Sequence, residues 1–329
     1  MNRPSLKPLP CKEGSRQYSC GISPSCKGGV WGRVCSLFFI LLLVSCSGKQ
    51  EGVQPEADST GIDTSLLCVA VMPTMNCLPV YYAERTGLAD SLGLEMQVLR
   101  YQAQMDIDTA ITGGYADIAY TDLIRIAKLD GQGTAVKPFA SLDEPLSLIS
   151  LKTKRVKQVN QMKEQMIAIS RLSATDYWCD RMLDETHTSH DDIYRPQVND
   201  VLLRAEMLRL GLIDAAIMGE PYATWMVSLG HKRLSQSKGK QPQLYAWAAM
   251  SSATKRQQNL FRRLLDDAIR RMADASQADV LRDILKQDFG LPAEAADSLN
   301  LQPIAPPSNV RQSDIEEARN WLAKRKKIK

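Results

Sequence analysis

From residue 66 onward, short runs of β-branched and apolar residues alternate with stretches whose apolar positions recur at helical spacing. That alternation marks a parallel sheet wrapped by helices. It predicts strands at 66–72, 94–100, 117–120 and 136–139, with helices at 79–85, 105–112 and 122–129 between them. Gly87 and the pair Gly113-Gly114 close the first two helices, where a residue free to adopt positive φ ends a helix without steric strain. A strand at 147–152 then carries the chain to a second set, with strands at 166–170, 192–195, 214–218 and 232–234 and helices at 174–185, 198–210 and 220–229. The polar segment 235–243 breaks the rhythm. A strand at 244–250 returns to the first set, and helices at 255–274, 277–287 and 312–326 follow. The fold class implied is α/β with two lobes, each a mainly parallel sheet wrapped by helices, joined by two hinge crossings. One lobe interrupted by another leaves a cleft that can open and close.

The stretch ahead of this pattern has a different character. Residues 37–44 (LFFILLLV) form an uncharged apolar run behind Lys27 and Arg33. A membrane-spanning helix needs roughly 20 such residues, so the run reads as the core of a secretory signal. It ends in Leu43-Val44-Ser45-Cys46, which resembles the bacterial lipobox: a small residue, then a thiol that takes the diacylglycerol. Cys46 is therefore the expected lipidation site. Upstream, Cys11, Cys20 and Cys26 lie among Pro, Gly and Ser without periodicity, and translation is expected to begin near Val30. The expected organisation is a signal peptide with an N-terminal extension at 1–45 and a lipid-anchored, polar tether at 46–65. The first lobe follows at 66–146, the second at 147–240, and the return to the first lobe with the C-terminal helices at 241–329.

Charge and cysteines narrow the function classes. The net charge is +4, but residues 1–45 hold six Lys/Arg against one Glu, so the rest of the chain carries −1. A nearly neutral body offers no field for nucleic acid. The basic run 324–329 reads as a solvated helix end that complements the dipole. Of eight cysteines, only Cys68, Cys77 and Cys179 lie beyond residue 46. An odd number without a CxxC pair is neither a disulfide framework nor a zinc site, so buried thiols are expected. His187 and His190 fall in a polar loop and read as turn residues. No P-loop, nucleophile elbow or HExxH occurs, so no catalytic residue, metal or cofactor is assigned.

Three segments carry a resemblance. Residues 66–88 run from a strand through a loop into a helix ending Ala83-Glu84-Arg85-Thr86-Gly87-Leu88. Residues 108–119 (DTAITGGYADIA) place Gly113 and Gly114 ahead of Asp117 and a strand. Residues 210–223 contain Leu210-Gly211-Leu212-Ile213-Asp214-Ala215-Ala216, then Gly219-Glu220-Pro221-Tyr222-Ala223. In this order, over about 66–235, they resemble substrate-binding proteins of ABC importers for nitrate, sulfonates and taurine, with kin that bind pyrimidine thiamine precursors. The resemblance implies the two-lobed periplasmic-binding-protein type II fold. It also implies a non-catalytic, extracytoplasmic solute carrier, a monomer held to the membrane through a lipid, that delivers a small molecule to an ABC permease and ATPase. Its location would be the periplasm or cell envelope. An exported enzyme or ligand sensor of the same fold, with no transporter partner, stays open as the alternative.

Open α/β sheets bind ligands beyond the carboxyl ends of their strands, where helix N-termini point. The candidates are therefore post-strand residues: Thr74, Met75 and Asn76 after the first strand, Gln102 and Gln104 after the second, and Tyr120, Thr121 and Asp122 around the third. In the second lobe they are Arg171, Ser173 and Thr175, and then Gly219 and Glu220. Each has a plainer reading. Asn76, Ser173 and Thr175 are equally N-caps, Glu220 a helix-start charge, and Arg171 a surface arginine or an anion ligand. Tyr120, Tyr177 and Trp178 can stack on a ligand or pack in the core. Asp117 and Asp214 read as caps at the starts of buried strands.

Overall fold

The computed structural model describes residues 66–237, 242–299 and 303–327. The signal, Cys46 and the tether lie outside the described residues. The first sheet begins with β1 (Leu67–Val71), followed by α1 (Leu78–Thr86) and α2 (Leu88–Ser91), β2 (Met96–Arg100), α3 (Gln104–Thr112), β3 (Ile118–Asp122), α4 (Leu123–Asp130) and β4 (Val136–Leu142). The chain then crosses to a second sheet: β5 (Ser147–Ser150), β6 (Ile167–Ala168), α5 (Ala174–Glu185), α6 (Val201–Arg209), β7 (Ala215–Met218), α7 (Tyr222–Ser228) and β8 (Lys232–Gln236). It returns through β9 (Tyr245–Met250) and ends in α8 (Lys255–Met272), α9 (Ala278–Gln287), α10 (Ala293–Ser298) and α11 (Gln312–Lys327).

The strand orders are β2-β1-β3-β9-β4 and β6-β7-β5-β8. Parallel pairing holds for β1 with β2 and β3, and for β6 with β7. The strands that change sheets, β5 and β9, instead lie antiparallel to both neighbours. The parallel order thus belongs to the βα repeats and the antiparallel order to the crossings. β1 (LCVAV) is buried along its whole length, as expected of a strand covered on both faces. Pro138, which has no N–H to give, sits on the edge strand β4 beside a bulge. Trp247, fully buried on β9, meets Phe261 of α8 edge-on at 4.9 Å. The C-terminal helix touches both halves: α11 packs on α4, and its Trp321 Nε1 donates to Asp180 of α5 at 2.9 Å.

Both sheets use one device at the start of an inner strand. Asp117, ahead of β3, accepts from the Cys68 N–H of β1 at 2.9 Å, and Asp214, ahead of β7, accepts from Met166 N–H beside β6 at 2.8 Å. The carboxylates therefore tie down the neighbouring strand rather than the preceding turn. Two expectations need correction. The strand expected at 192–195 is a 3-10 turn, His190–Asp192, followed by single bridges from Tyr194 and Gln197, because Pro196 lacks the N–H that would continue a ladder. The short, alanine-rich α10, entered through Pro292, was not expected. Cys77 and Cys179 are free buried thiols, as expected.

Candidate functional site

Residues at or just past the carboxyl ends of β1, β3, β6 and β7 line one cavity of about 40 Å³. On a scale where one water needs roughly 10–15 Å³, that admits about three waters. Larger solutes therefore require the sheets to part. The wall from the first sheet includes Met72, Thr74, Gln104, Tyr120, Asp122 and Tyr245, and the wall from the second includes Ser170, Ser173, Thr175, Asn199, Arg204, Gly219, Glu220 and Tyr222. Glu144 and Leu146, on the crossing between β4 and β5, close one end.

Eight of the post-strand candidates thus share this cavity: Thr74, Gln104, Tyr120, Asp122, Ser173, Thr175, Gly219 and Glu220. Several also hold the fold. Asp122 caps α4, accepting from Ile124 N and Arg125 N at 3.0 Å each. Burial raises its carboxyl to about 6, against the pull of the nearby Arg125 charge. Ser173 caps α5 through Thr175 N at 3.2 Å, and the Thr175 hydroxyl accepts from Ser170 N at 3.0 Å. Glu220 accepts from Thr224 N at 2.9 Å and pairs with Arg233 at 3.0 Å.

The other candidates lie elsewhere. Thr121 is fully buried beneath the wall, accepting from Gln104 Nε2 at 3.1 Å. Gln102 is exposed, and its carbonyl accepts from Val201 N at 3.2 Å. Met75 and Asn76 line an adjoining hollow of about 180 Å³ with Pro145, Pro221 and Ile304. Arg171 is exposed over a separate hollow, where its guanidinium donates to the Arg195 carbonyl at 3.2 Å. Tyr177 and Trp178 are buried on α5 and do not line the cavity.

Polar contacts cross the cleft. Arg125 of α4, buried and ion-paired with Asp108, donates to Ser170 Oγ of the second sheet at 3.1 Å. Ser170 in turn donates to Asn199 Oδ1 at 2.9 Å. On the same side as the crossings, Met75 N donates to the Glu220 carbonyl at 3.2 Å.

Residues 74–237 match a family model described as NMT1/THI5 like. Over that stretch, just under half of the chain, it is similar to the NMT1/THI5-like family. No curated protein sequence matches the chain. Among solved structures, it is similar to the alkanesulfonate-binding protein SsuA from Xanthomonas axonopodis pv. citri bound to MOPS. The TM-score is 0.65 at 15% identity, covering 78% of this chain and 90% of that one. The periplasmic aliphatic sulphonate binding protein SsuA from Escherichia coli gives 0.65 at 14%, covering 79% and 87%. The periplasmic nitrate-binding protein NrtA from Synechocystis PCC 6803 gives 0.61 at 13%, covering 79% and 80%. At such identities the likeness establishes the periplasmic-binding-protein fold and no ligand.

Among the wall residues that sequence reasoning missed, three matter most for the chemistry. Asn199 and Arg204 belong to α6 and the loop before it, not to a strand end, so the post-strand rule passed over them. Arg204 is buried and donates to the Val198 carbonyl at 2.7 and 2.9 Å and to the Ile217 carbonyl at 2.7 Å. Burial lowers its guanidinium to about 10. The third is Glu144, whose signal was an acidic pair ahead of Pro145 at a predicted crossing. Its carboxylate accepts from Tyr120 and, at 3.0 Å, from Asn76 Nδ2. Burial raises it to about 7; the bonds from Tyr120 and Asn76 lower it, and the charges of Glu220 and Asp143 raise it further.

Proposed function

We propose that this chain is the extracytoplasmic solute-binding component of an ABC importer and is not an enzyme. In this reading it is exported by the signal within 1–45, anchored through Cys46 and spaced from the membrane by 46–65. As a monomer in the periplasm or cell envelope, it passes its solute to a permease driven by an ATPase. The lobes are 66–146 with 241–329, and 147–240. A cavity walled by strand ends of both sheets, with a chain crossing at its end, carries the reading. A solute touching both walls favours the closed state by its differential affinity, and that is how a two-state carrier reports loading. The relatives named above are binding proteins for sulfonates and nitrate, which is consistent with such a role.

Native mass spectrometry of the full chain isolated from its own cells should find a small molecule bound one to one. Stripping that molecule should raise the radius of gyration in solution scattering, and adding it back should lower it. A particle size indifferent to the bound molecule, or turnover of it, would end the carrier reading.

A further inference from the structure

The cavity wall is acidic, and its cations are already engaged. Asp122, Glu144 and Glu220 all line it, and Arg204 holds backbone carbonyls. Glu220 has Arg233 as counter-ion at 3.0 Å. Glu144 differs: among the described residues no salt bridge reaches it, and it accepts from the neutral donors of Tyr120 and Asn76. Gly219 lets it come close, since a Cβ there would collide with the Glu144 carboxylate. A second, independent feature lies in the same cavity. Thr74 is only 6% exposed, and its Oγ1 has no nitrogen or oxygen partner, only the buried Cys77 thiol beside it. A buried polar atom left without such a partner is costly, so the cavity that holds this carboxylate is also short of a polar partner. Glu144 and Glu220 also border the adjoining hollow, whose other walls are largely apolar.

Resting on the reading of this cleft as the solute site, we propose that the solute is a small organic cation. Its amine or amidinium nitrogen pairs with Glu144 and reaches Thr74, and its apolar part lies against Pro145, Pro221 and Ile304. A sulfonate or nitrate would instead meet three carboxylates and, among the described residues that line the cavity, no positive side chain beyond the engaged Arg204.

The test is calorimetric titration of the full chain in detergent at pH 8 with agmatine and phenethylamine, and with ethanesulfonate and nitrate as anions. The amines should bind, and Glu144→Gln should weaken them by about tenfold or more while its urea midpoint is no lower than wild type. Amine affinity should also fall between pH 8 and pH 6, as the Glu144 carboxylate, with Glu220, Asp143 and Tyr120 around it, takes up a proton. Binding of the anions but not the amines overturns the cation assignment and leaves the carrier reading standing. Equal amine affinity in wild type and Glu144→Gln overturns it too. Failure of both classes, together with an unchanging particle size, brings down both.

Discussion

Glu144→Gln should make the unliganded protein more stable at alkaline pH and leave it unchanged at acid pH. The folded protein holds this carboxyl at about 7, against 4.5 for a free glutamate, chiefly because folding buries it. A group whose pKa rises on folding contributes its full stability below 4.5 and loses that contribution as pH climbs through about 7. At roughly 1.4 kcal/mol per pH unit, the loss amounts to about 3 kcal/mol. The glutamine amide oxygen can still accept from Tyr120 and Asn76, so the variant keeps the packing and discards only the charge. Urea unfolding of both proteins at pH 4.5 and pH 8.5 isolates this group, because every other titration is shared and cancels in the difference. The variant's advantage should grow by about 3 kcal/mol between the two pH values, roughly 1 M in midpoint if m lies near 3 kcal/mol per M. An advantage that does not change with pH, or that shrinks as pH rises, would refute the argument that Glu144 is held ionised at a cost. Such a cost would be expected of a group kept for a cationic partner.

Three further outcomes follow from the same geometry. Arg204→Met removes the bonds to the Val198 and Ile217 carbonyls and should cost about 2–4 kcal/mol in chemical unfolding; a loss below about 1 would contradict the assigned role. Gly219→Ala drives a Cβ into the Glu144 carboxylate and should cost about 1–3 kcal/mol. Adding Glu144→Ala should recover most of that in a double-mutant cycle, and additivity would show that the two do not meet. Ser170→Ala cuts the Arg125 bond across the cleft and should raise the radius of gyration of the solute-free protein, with no more than about 2 kcal/mol lost in stability. An unchanged radius would mean that the contact does not hold the lobes together.

What could be read from the chain alone was whatever depends on local period and on residues close in sequence. The βα rhythm, the helix stop at Gly87, the Ser173 cap of α5 and the return strand at 245–250 are all of this kind. The post-strand rule found eight wall residues because the carboxyl ends of strands converge in any open α/β sheet. It could not tell Thr121, which faces inward, from its neighbours Tyr120 and Asp122, since a strand turns successive side chains to opposite faces and only packing decides which face meets the cleft. Arg171 shows the same limit, because a loop after a strand can turn away from the cavity. Glu144, Arg204 and the Thr74 hydroxyl became meaningful only in three dimensions. Whether a carboxylate has a counter-ion, or a guanidinium is already engaged, is settled by residues far apart in sequence that the fold brings together. The sequence alone therefore determined the architecture and the neighbourhood of the cleft, because these follow from local pattern. The electrostatic character of its wall was decided by the tertiary structure, because charge balance is a property of spatial neighbours.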